Sequence, residues 1–391
     1  MDLKKKILIV GPISDFGGRE IEVKNIIDAL INYFKVSLLS TIPMTKKSAA
    51  ILDEKHHHWS SVEKKIFNSN LFIKITSIAC KFIYRRKAPA YRFIGNKLNY
   101  KFFSFNQKYF DVLKKETDKH DIVIFSGELT TKWLIEIITF CKDLNKPLII
   151  RTTGTITNIP ELTSSLLKYV ETILVHSNSN YQKILKVVQD NIVIIDQTTL
   201  FEKELVRIET KKTTDHLTYG YLGRFSKEKG IVEVLKVFKN LNKKLIIAGN
   251  GPLLDEVKEA TENNTSIEYI GELSGQEIVA FFKLIDILII PSLEESGPLV
   301  GIEAMVAGKI ILSTRVGAMM DRLEKTDNQF WFDIKNENSL VTEIKRIESI
   351  DTESLENIRH KTRKVYNLRY SRDIIAEKYL EVINNTQEKN S

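Results

Sequence analysis

Two glutamates separated by seven residues, Glu295 and Glu303, carry the strongest chemical signal in this sequence of 391 residues. Between them, Ser296-Gly297-Pro298 predicts the start of a helix, because proline is tolerated in a first turn where its N–H would have no partner. The apolar run Ile285–Ile290 predicts a buried parallel strand that ends at Pro291. A helix that starts at the carboxyl end of such a strand presents free N–H groups and favours phosphate.

Two cations precede this stretch in the same half of the chain. A predicted strand, Leu217–Leu222, ends at Gly223-Arg224, and Lys229-Gly230 opens the next helix. The planar guanidinium of an arginine can bind two oxygens of a diphosphate, while a lysine supplies a mobile point charge. The spacing therefore predicts a diphosphate clamp, and the structural alternative is two surface cations on a loop.

Taken together, these residues resemble the family 4 retaining glycosyltransferases, two-domain enzymes that take a sugar from a nucleotide donor. The resemblance covers nearly the whole chain but is specific only from about Gly220 to Gly317. It rests on the arrangement of Arg224 and Lys229 and on an E-x7-E signature with its neighbours, namely Pro291, Ser292, Glu295, Gly297, Glu303, Ala304, Met305 and Gly308. The fold class it implies is α/β of the GT-B type, with two Rossmann-like parallel-sheet domains facing a cleft.

The resemblance also implies roles for individual residues. Arg224 and Lys229 would stabilise the leaving diphosphate, Glu295 would hold the donor hexose, and these three form the predicted catalytic set. Glu303 would accept hydrogen bonds from the ribose. The predicted donor-binding residues are Gly223, Gly249, Gly251, Gly271, Leu273, Ser296, Gly297, Pro298, Leu299 and Glu303. The donor would be a UDP- or GDP-linked sugar, with no cofactor and no metal, because the cations and the helix start supply the charge stabilisation.

The first half of the chain predicts the same kind of sheet. Strand Ile7–Val10, a loop with Gly17-Gly18, a helix and strand Lys35–Leu39 form a βαβ unit. Glu128 and Thr153 come just past two further predicted strands, which is where open α/β sheets bind ligands. By resemblance, Gly17 and Gly18 face the donor phosphates and the acceptor, although a plain tight turn remains open. Gly17, Gly18, Glu128 and Thr153 are thus the predicted phosphate and acceptor side.

A basic and aromatic segment, residues 62–115, combines 13 Lys and Arg with 12 aromatic residues and only two acids. Since the whole chain carries a net charge of +8, the remainder is slightly acidic. Cationic helices with Phe and Tyr on the other face bind anionic membrane surfaces. Ordinary core helices with solvated lysines are the structural alternative, and single-stranded nucleic acid is a third. The resemblance favours a membrane, because many relatives glycosylate lipid-linked acceptors, and we expect no nucleic-acid partner.

Length and composition indicate two domains in a globular protein of the reducing cytoplasm. No run of 18 apolar residues predicts a spanning helix, and two cysteines, Cys80 and Cys141, are too few for a disulfide framework. The predicted domains are residues 1–208 for the acceptor, residues 209–365 for the nucleotide-sugar, and a C-terminal helix, 366–391, that by resemblance crosses back to the first domain. We expect the protein at the inner face of the membrane as a peripheral protein.

The predicted function is a retaining glycosyltransferase that moves a hexose to a glycan or lipid-linked acceptor in cell-surface polysaccharide synthesis. The alternatives are a non-transferase GT-B protein, such as a sugar-nucleotide epimerase, and a non-catalytic membrane-binding module. His56-His57-His58 before Trp59 could suggest a metal site, but consecutive histidines cannot all point one way, so a solvated loop is the better prediction. The sequence leaves the sugar, the base, the acceptor and the oligomeric state open.

Overall fold

The computed structural model describes residues 4–51, 58–84, 87–209, 216–262 and 264–389. By density of contacts the chain divides into two units. Unit 1 comprises the chain up to Val175, Tyr181–Ile195 and the C-terminal end from Ala376, and unit 2 comprises His176–Asn180 and Asp196–Ile375. The contacts therefore divide at Ile195, before the predicted boundary at residue 208, because Asp196 and Thr199 bond to side chains of unit 2.

Unit 1 contains a seven-stranded parallel sheet with the strand order β3-β2-β1-β4-β5-β6-β7. Its strands are β1 (Lys6–Gly11), β2 (Lys35–Ser40), β3 (His58–Ser61), β4 (Ile122–Gly127), β5 (Leu148–Thr152), β6 (Thr172–Val175) and β7 (Ile192–Ile194). Edge strand β3 corrects the prediction of a loop at His56–Trp59: His58 and Trp59 pair with Ser37 and Leu38 of β2, while His56 and His57 lie outside the described residues.

Among the described residues, eight helices begin in or beside unit 1. They are α1 (Gly18–Leu30), α2 (Val62–Ser69), α3 (Leu71–Ile83), α4 (Lys97–Phe102), α5 (Phe105–Asp118), α6 (Leu134–Asp143), α7 (Glu161–Leu166) and α8 (Asn178–Leu185), with short 3₁₀ turns at Ala49–Ile51, Ala90–Phe93 and Leu167–Tyr169. The predicted basic and aromatic segment thus forms four helices, α2 to α5. Ser61 and Asn70 cap α2 and α3 by accepting a backbone N–H bond with their side chains.

Unit 2 contains a six-stranded parallel sheet with the strand order β10-β9-β8-β11-β12-β13. Its strands are β8 (Tyr219–Leu222), β9 (Leu245–Ala248), β10 (Ile267–Tyr269), β11 (Ile287–Ile290), β12 (Ile310–Ser313) and β13 (Phe330–Trp331). Counted within the unit, this is the order 3-2-1-4-5-6 of a doubly wound nucleotide-binding fold. The predicted α/β class with two Rossmann-like parallel-sheet domains is confirmed.

The remaining helices pack on both faces of this sheet or lie at the end of the chain. They are α9 (Glu202–Leu205), α10 (Ile231–Lys239), α11 (Leu254–Glu262), α12 (Gln276–Leu284), α13 (Leu299–Val306), α14 (Met319–Leu323), α15 (Glu337–Glu348), α16 (Thr352–Arg369) and α17 (Arg372–Lys389), with a 3₁₀ turn at Lys227–Lys229. Strand β11 shows how the core is built, because Ile287 and Ile289 pack into one hydrophobic cluster while Leu288 and Ile290 pack into another.

Candidate functional site

The loops that follow β8 and β11 lie at the point where the connections of the unit 2 sheet reverse direction. In a doubly wound sheet this switch point opens a crevice beyond the carboxyl ends of the strands, where ligands bind. The loop after β8 carries Gly223, Arg224 and Lys229, and the loop after β11 carries Glu295 and Pro298. Topology therefore gathers the predicted catalytic residues at one edge of the sheet.

Lys229 and Glu295 form an ion pair at this edge. The ammonium of Lys229 contacts Glu295 Oε2, and the hydroxyl of Ser292 donates to the same oxygen at 3.0 Å. The two charged side chains are 26% and 18% exposed, so both are accessible from solvent. Arg224 is exposed, and its backbone carbonyl accepts a hydrogen bond from the hydroxyl of Tyr221 at 2.9 Å.

Gly230 brings the lysine loop against the glutamate loop. Its φ of 67° is in the left-handed region, and a Cβ at this position would lie 2.1 Å from the carbonyl oxygen of Pro291. The N–H of Leu293 donates to the carbonyl of Glu228 at 2.8 Å, which ties the two loops a second time. Any larger residue at 230 would push Lys229 away from Glu295.

The predicted donor-side glycines hold three neighbouring turns together through their backbones. A Cβ on Gly249, whose φ is 138°, would lie 1.9 Å from the carbonyl oxygen of Gly223, and a Cβ on Gly251 would lie 2.4 Å from that of Phe225. Gly249 also donates to the carbonyl of Gly271 at 2.8 Å. Gly271 has open space around its Cβ position, so its φ of 94° is the feature that requires glycine there.

The Glu295 loop is held in place by a buried arginine that sequence reasoning missed. Arg322 donates to the carbonyl oxygen of Pro298 at 2.5 Å and forms a two-bond ion pair with Asp196, at 2.8 and 2.6 Å. Burial alone would lower the pKa of Arg322, but the Asp196 carboxylate raises it overall. Gly317, with a φ of 50°, allows the backbone of Ala318 to donate to the carbonyl of Ser296 at 2.9 Å.

Helix α13, which follows this loop, begins one residue later than the position of Pro298 predicted. Pro298 occupies the N-cap and Leu299 is the first helical residue of α13. Glu303 lies in this helix, is only 3% exposed, and accepts a hydrogen bond from the hydroxyl of Thr199 at 3.3 Å. Burial raises the pKa of Glu303 to about 8, because desolvation penalises the charged form more than the Thr199 bond favours it. In this state Glu303 is a protonated acid at neutral pH.

The loop Asp196–Thr199 therefore supports both halves of the predicted donor site, through Arg322 and Glu303. The sequence analysis assigned this loop no role. Asp321 accepts a hydrogen bond from the backbone N–H of Asn178 at 2.8 Å. Since these partners are more than 100 residues apart in sequence, local spacing could not reveal them.

The carboxyl edge of the unit 1 sheet gathers the predicted acceptor-side residues around an arginine, Arg19, that the sequence did not single out. Arg19 donates to Thr153 Oγ1 at 3.1 and 3.2 Å and to the carbonyl oxygen of Pro12 at 2.9 Å. Its guanidinium lies 3.6 Å from Glu128 Oε1, and Glu128 is largely exposed. A cation, a carboxylate and a hydroxyl thus meet at this edge.

Gly17 and Gly18, the two residues before Arg19, differ in whether their position requires glycine. Gly17 has a φ of 144°, and a Cβ there would lie 2.7 Å from Oε2 of Glu20, whose other oxygen accepts the N–H of Ser14 at 2.6 Å. Gly18 begins α1 and has nothing within 4 Å of its Cβ position. The turn therefore needs glycine at 17, while position 18 has open space beside the edge.

A buried ion pair in unit 1 contacts the C-terminal helix α17. Arg151 in β5 pairs with Glu22 in α1, and the hydroxyl of Tyr379 donates to Glu22 Oε1 at 3.1 Å. The guanidinium carbon of Arg151 lies 6.0 Å from the centroid of the Tyr379 ring. The part of α17 from Ala376 onward therefore packs with unit 1, although the helix begins at Arg372.

Helix α3 exposes an unusually apolar face. Only Ile73 and Ser77 of this helix are buried. The exposed apolar side chains, called the α3 stripe below, are Leu71, Phe72, Ile75, Phe82 and Ile83. Their spacing places them along one side of the helix. In the described part of the chain no single helix is long and apolar enough to cross a membrane, while α2 and α3, bent by 112°, reach that length and composition only as a pair.

Among the described residues, no group of three or more His, Cys, Asp or Glu side chains is arranged to hold a metal ion. Cys141 is buried, and its burial raises the pKa of the thiol to about 12.

The second half of the chain matches a known protein family. The family described as "Glycosyl transferases group 1" matches residues 202–365. An uncharacterized glycosyltransferase of Methanocaldococcus jannaschii, MJ1607, is 28% identical over 169 residues, which are 41% of this chain and 43% of that protein. The lipopolysaccharide 1,2-N-acetylglucosaminetransferase of Salmonella typhimurium is 27% identical over 186 residues, 43% of this chain and 48% of that protein. The matches thus span less than half the length of these relatives.

The fold of the whole chain has relatives among solved structures. The Anabaena protein Alr3699/HepE, solved in complex with UDP, aligns with a TM-score of 0.71 at 15% identity and covers 97% of this chain and 100% of its own. At this identity the likeness establishes the fold and leaves the ligand open. It agrees with the predicted GT-B class.

Proposed function

We propose, from the match of residues 202–365 to the glycosyl transferases group 1 family, that this chain is a retaining hexosyltransferase. It takes the hexose from a UDP- or GDP-sugar and transfers it to a glycan or lipid-linked acceptor in cell-surface polysaccharide synthesis. The observation that carries this proposal is the Lys229–Glu295 pair, which lies with Arg224 in the loops at the switch point of a doubly wound sheet. The lipopolysaccharide transferase among the relatives supports the substrate class. Membership of family 4 in particular stays a prediction.

The cations of unit 2 fit the charge that sugar transfer creates. Breaking the bond between the sugar and the diphosphate leaves a negatively charged leaving group, so catalysis requires stabilisation of that charge. Arg224 can bind two phosphate oxygens and Lys229 one, while the free N–H groups at the start of α13 face the same edge. Because two cations supply the charge, this chemistry needs no metal.

The two glutamates take different parts in the proposed reaction. Glu295 is partly exposed and binds Lys229, so it orients the sugar hydroxyls beside the diphosphate cation. Glu303 is buried and protonated at neutral pH, so it can donate a hydrogen bond to a ribose oxygen as well as accept one. Retention follows if the acceptor attacks from the side of the leaving phosphate and that phosphate accepts the proton, as the family pattern implies.

The nucleotide is the first thing to measure. Thermal unfolding of the full chain is followed with UDP, GDP and ADP, for the wild type and for Glu303→Ala. A nucleotide at 100 times its Kd adds about 2.7 kcal/mol to the free energy of unfolding. Stabilisation by one base, weakened in the variant, supports the donor site, while no response to any nucleotide contradicts it. Release of that nucleotide from its sugar donor, measured with and without a panel of glycan and lipid-linked acceptors, separates a transferase from an epimerase.

We further propose that unit 1 binds an anionic membrane surface, which places the protein at the inner face of the cytoplasmic membrane. The α3 stripe exposes Phe82 and Ile83 to 73% and 74%, in a segment whose 13 cations and two acids give a net charge of +11. An apolar face with surrounding cations matches a bilayer that carries acidic lipids, because it combines burial of apolar surface with electrostatic attraction.

Vesicle sedimentation tests the membrane proposal. Wild type should bind vesicles with phosphatidylglycerol and bind phosphatidylcholine vesicles much less. Phe82→Ser with Ile83→Ser should release the protein. The matched control, Val187→Ser with Val193→Ser, changes two exposed apolar residues of unit 1 outside the stripe and should keep binding. Retention by the stripe variant, or equal loss in the control, removes α3 as the contact.

A further inference from the structure

A cavity of about 520 Å³ opens at the edge of the unit 1 sheet where its first strands begin. Lys6, Lys35 and His58 line it, and they are the first residues of β1, β2 and β3. Glu128 and Thr153 follow the opposite ends of their strands. Because all seven strands are parallel, the cavity and the candidate acceptor side lie at opposite edges of the sheet.

The lining of the cavity has an excess of positive charge. Four lysines line it, Lys6, Lys35, Lys65 and Lys119, against one carboxylate, Glu116. Glu116 bonds to Lys65 at 3.1 Å and to Lys119 at 2.9 Å. Burial alone would raise the pKa of Glu116, but these two lysines lower it overall, so the carboxylate is ionised. It can balance only one of the four ammonium groups.

Lys6 and Lys35 place like charges side by side. They are register partners in the parallel pair of β1 and β2, so their side chains leave the same face of the sheet. Like charges on neighbouring strands destabilise a sheet. Two adjacent lysines above a cavity are therefore unfavourable in the free protein and become favourable when an anion binds between them.

The uncharged lining groups can form hydrogen bonds with the hydroxyls of a sugar. His120 Nδ1 lies 2.7 Å from the carbonyl oxygen of Glu116 and must donate to it, which leaves Nε2 as an acceptor in the neutral ring. Burial lowers the pKa of His120, which keeps the ring neutral. The hydroxyls of Ser37 and Ser60 also line the cavity.

We propose that this cavity is a second saccharide site, separate from the transfer site, which binds an acidic glycan by its carboxylate or phosphate groups. Lys6 and Lys35 bind the anion, while His120, Ser37 and Ser60 form hydrogen bonds with sugar hydroxyls. The volume is within the range of small-molecule sites. A site of this kind would keep an acidic polysaccharide tethered to unit 1 and raise its effective concentration near the enzyme.

Calorimetric titration of the full chain tests this site with four probes: trigalacturonate as an acidic glycan, maltotriose as a neutral one, inorganic phosphate, and an oligo(dT) strand. Lys6→Gln with Lys35→Gln should weaken trigalacturonate binding about 10-fold, through loss of two charge-assisted contacts. Ser37→Ala with Ser60→Ala should weaken trigalacturonate binding and leave phosphate binding unchanged. The control, Lys5→Gln with Lys46→Gln, removes two exposed lysines of unit 1 that do not line the cavity and should leave binding unchanged.

Each other outcome overturns the proposal in a recognisable way. Equal binding of maltotriose removes the role of charge. Competition by phosphate without any effect of Ser37→Ala with Ser60→Ala reduces the site to an anion site, and tighter binding of oligo(dT) makes it a nucleic-acid site. The Lys6 and Lys35 variant should unfold no earlier than wild type, because it relieves repulsion, and should keep its thermal response to nucleotide. Loss of glycan binding is thereby distinguished from misfolding and from failure of the donor site.

Discussion

The carboxyl edges of the two sheets are built by different means. In unit 2 the turns pack backbone against backbone around the Lys229–Glu295 pair: Gly249 and Gly251 allow turns to touch, and Gly230 places one loop against the next. In unit 1 the contacts are made by side chains, with Arg19 bonded to Thr153 and close to Glu128. On the proposed function, unit 2 binds the donor and unit 1 selects the acceptor.

The largest effect is expected where the donor edge rests on a buried ion pair. Asp196→Asn leaves the Arg322 guanidinium buried beside a neutral partner, which should destabilise unit 2 by about 3 kcal/mol. Asp327→Asn is the matched control, since its pair with Lys361 is on the surface and should contribute under about 1 kcal/mol.

Hydrogen exchange reports each unit separately, which matters because two units need not unfold together. In Asp196→Asn, amides of β12 should exchange faster while those of β4 in unit 1 stay as protected as in wild type. Equal effects of the two aspartate variants would show that the buried pair does not support the donor edge.

The next effect concerns turnover. Lys229→Ala should lower kcat/KM for the donor about 100-fold, the cost of removing one group that stabilises developing negative charge. Lys227→Ala, an exposed lysine of the same 3₁₀ turn, should leave it unchanged. If Lys229 and Glu295 act as a unit, the double variant Lys229→Ala with Glu295→Gln should lose little more than Lys229→Ala alone. Additive losses would mean that the ion pair is incidental.

The third prediction concerns Glu303, whose ionisation should make the stability of the protein depend on pH. The folded pKa of Glu303, about 8, lies above the ordinary value of 4.5, so the folded state keeps a proton that the unfolded state releases. The contribution of Glu303 to the free energy of unfolding should therefore fall as the pH rises from 4.5 to 8, by about 3 kcal/mol at pH 7. Glu303→Gln imitates the protonated form and should remove this loss, so its advantage over wild type grows across that range.

Exchange of β11 amides in wild type and Glu303→Gln, between pH 5 and 8 and corrected for intrinsic exchange rates, measures this advantage. Glu256→Gln, an exposed glutamate of α11, is the control and should follow wild type at every pH. A constant difference between Glu303→Gln and wild type would show that Glu303 is ionised throughout.

The same contrast explains what could be predicted from sequence. Arg224, Lys229, Gly249 and Glu295 could be predicted as site residues because each belongs to a short stretch that contains a strand end, a turn and a helix start. Arg322 and Thr199 were missed, since their partners lie 126 and 104 residues away. Strand β3 was missed as well, because three histidines show no apolar alternation and its place is fixed by pairing with β2. Residues of a local motif could therefore be predicted from the sequence, whereas the residues distant in sequence that hold them in place could not.

The smallest expected effect is on activity that depends on the acceptor, and it tests the carboxyl edge of the unit 1 sheet alone. Arg19→Lys keeps the positive charge but cannot bond to Thr153 and Pro12 with the geometry of a guanidinium. We expect about a 10-fold fall in the nucleotide release that an acceptor stimulates, corresponding to about 1.4 kcal/mol. Donor hydrolysis by water and the thermal shift with nucleotide should stay at wild-type values, since both depend on unit 2. Arg207→Lys, at an exposed arginine of unit 2, should change none of these. A parallel fall in hydrolysis and transfer by Arg19→Lys would mean that Arg19 serves the donor, and that the two edges do not divide the work by ligand.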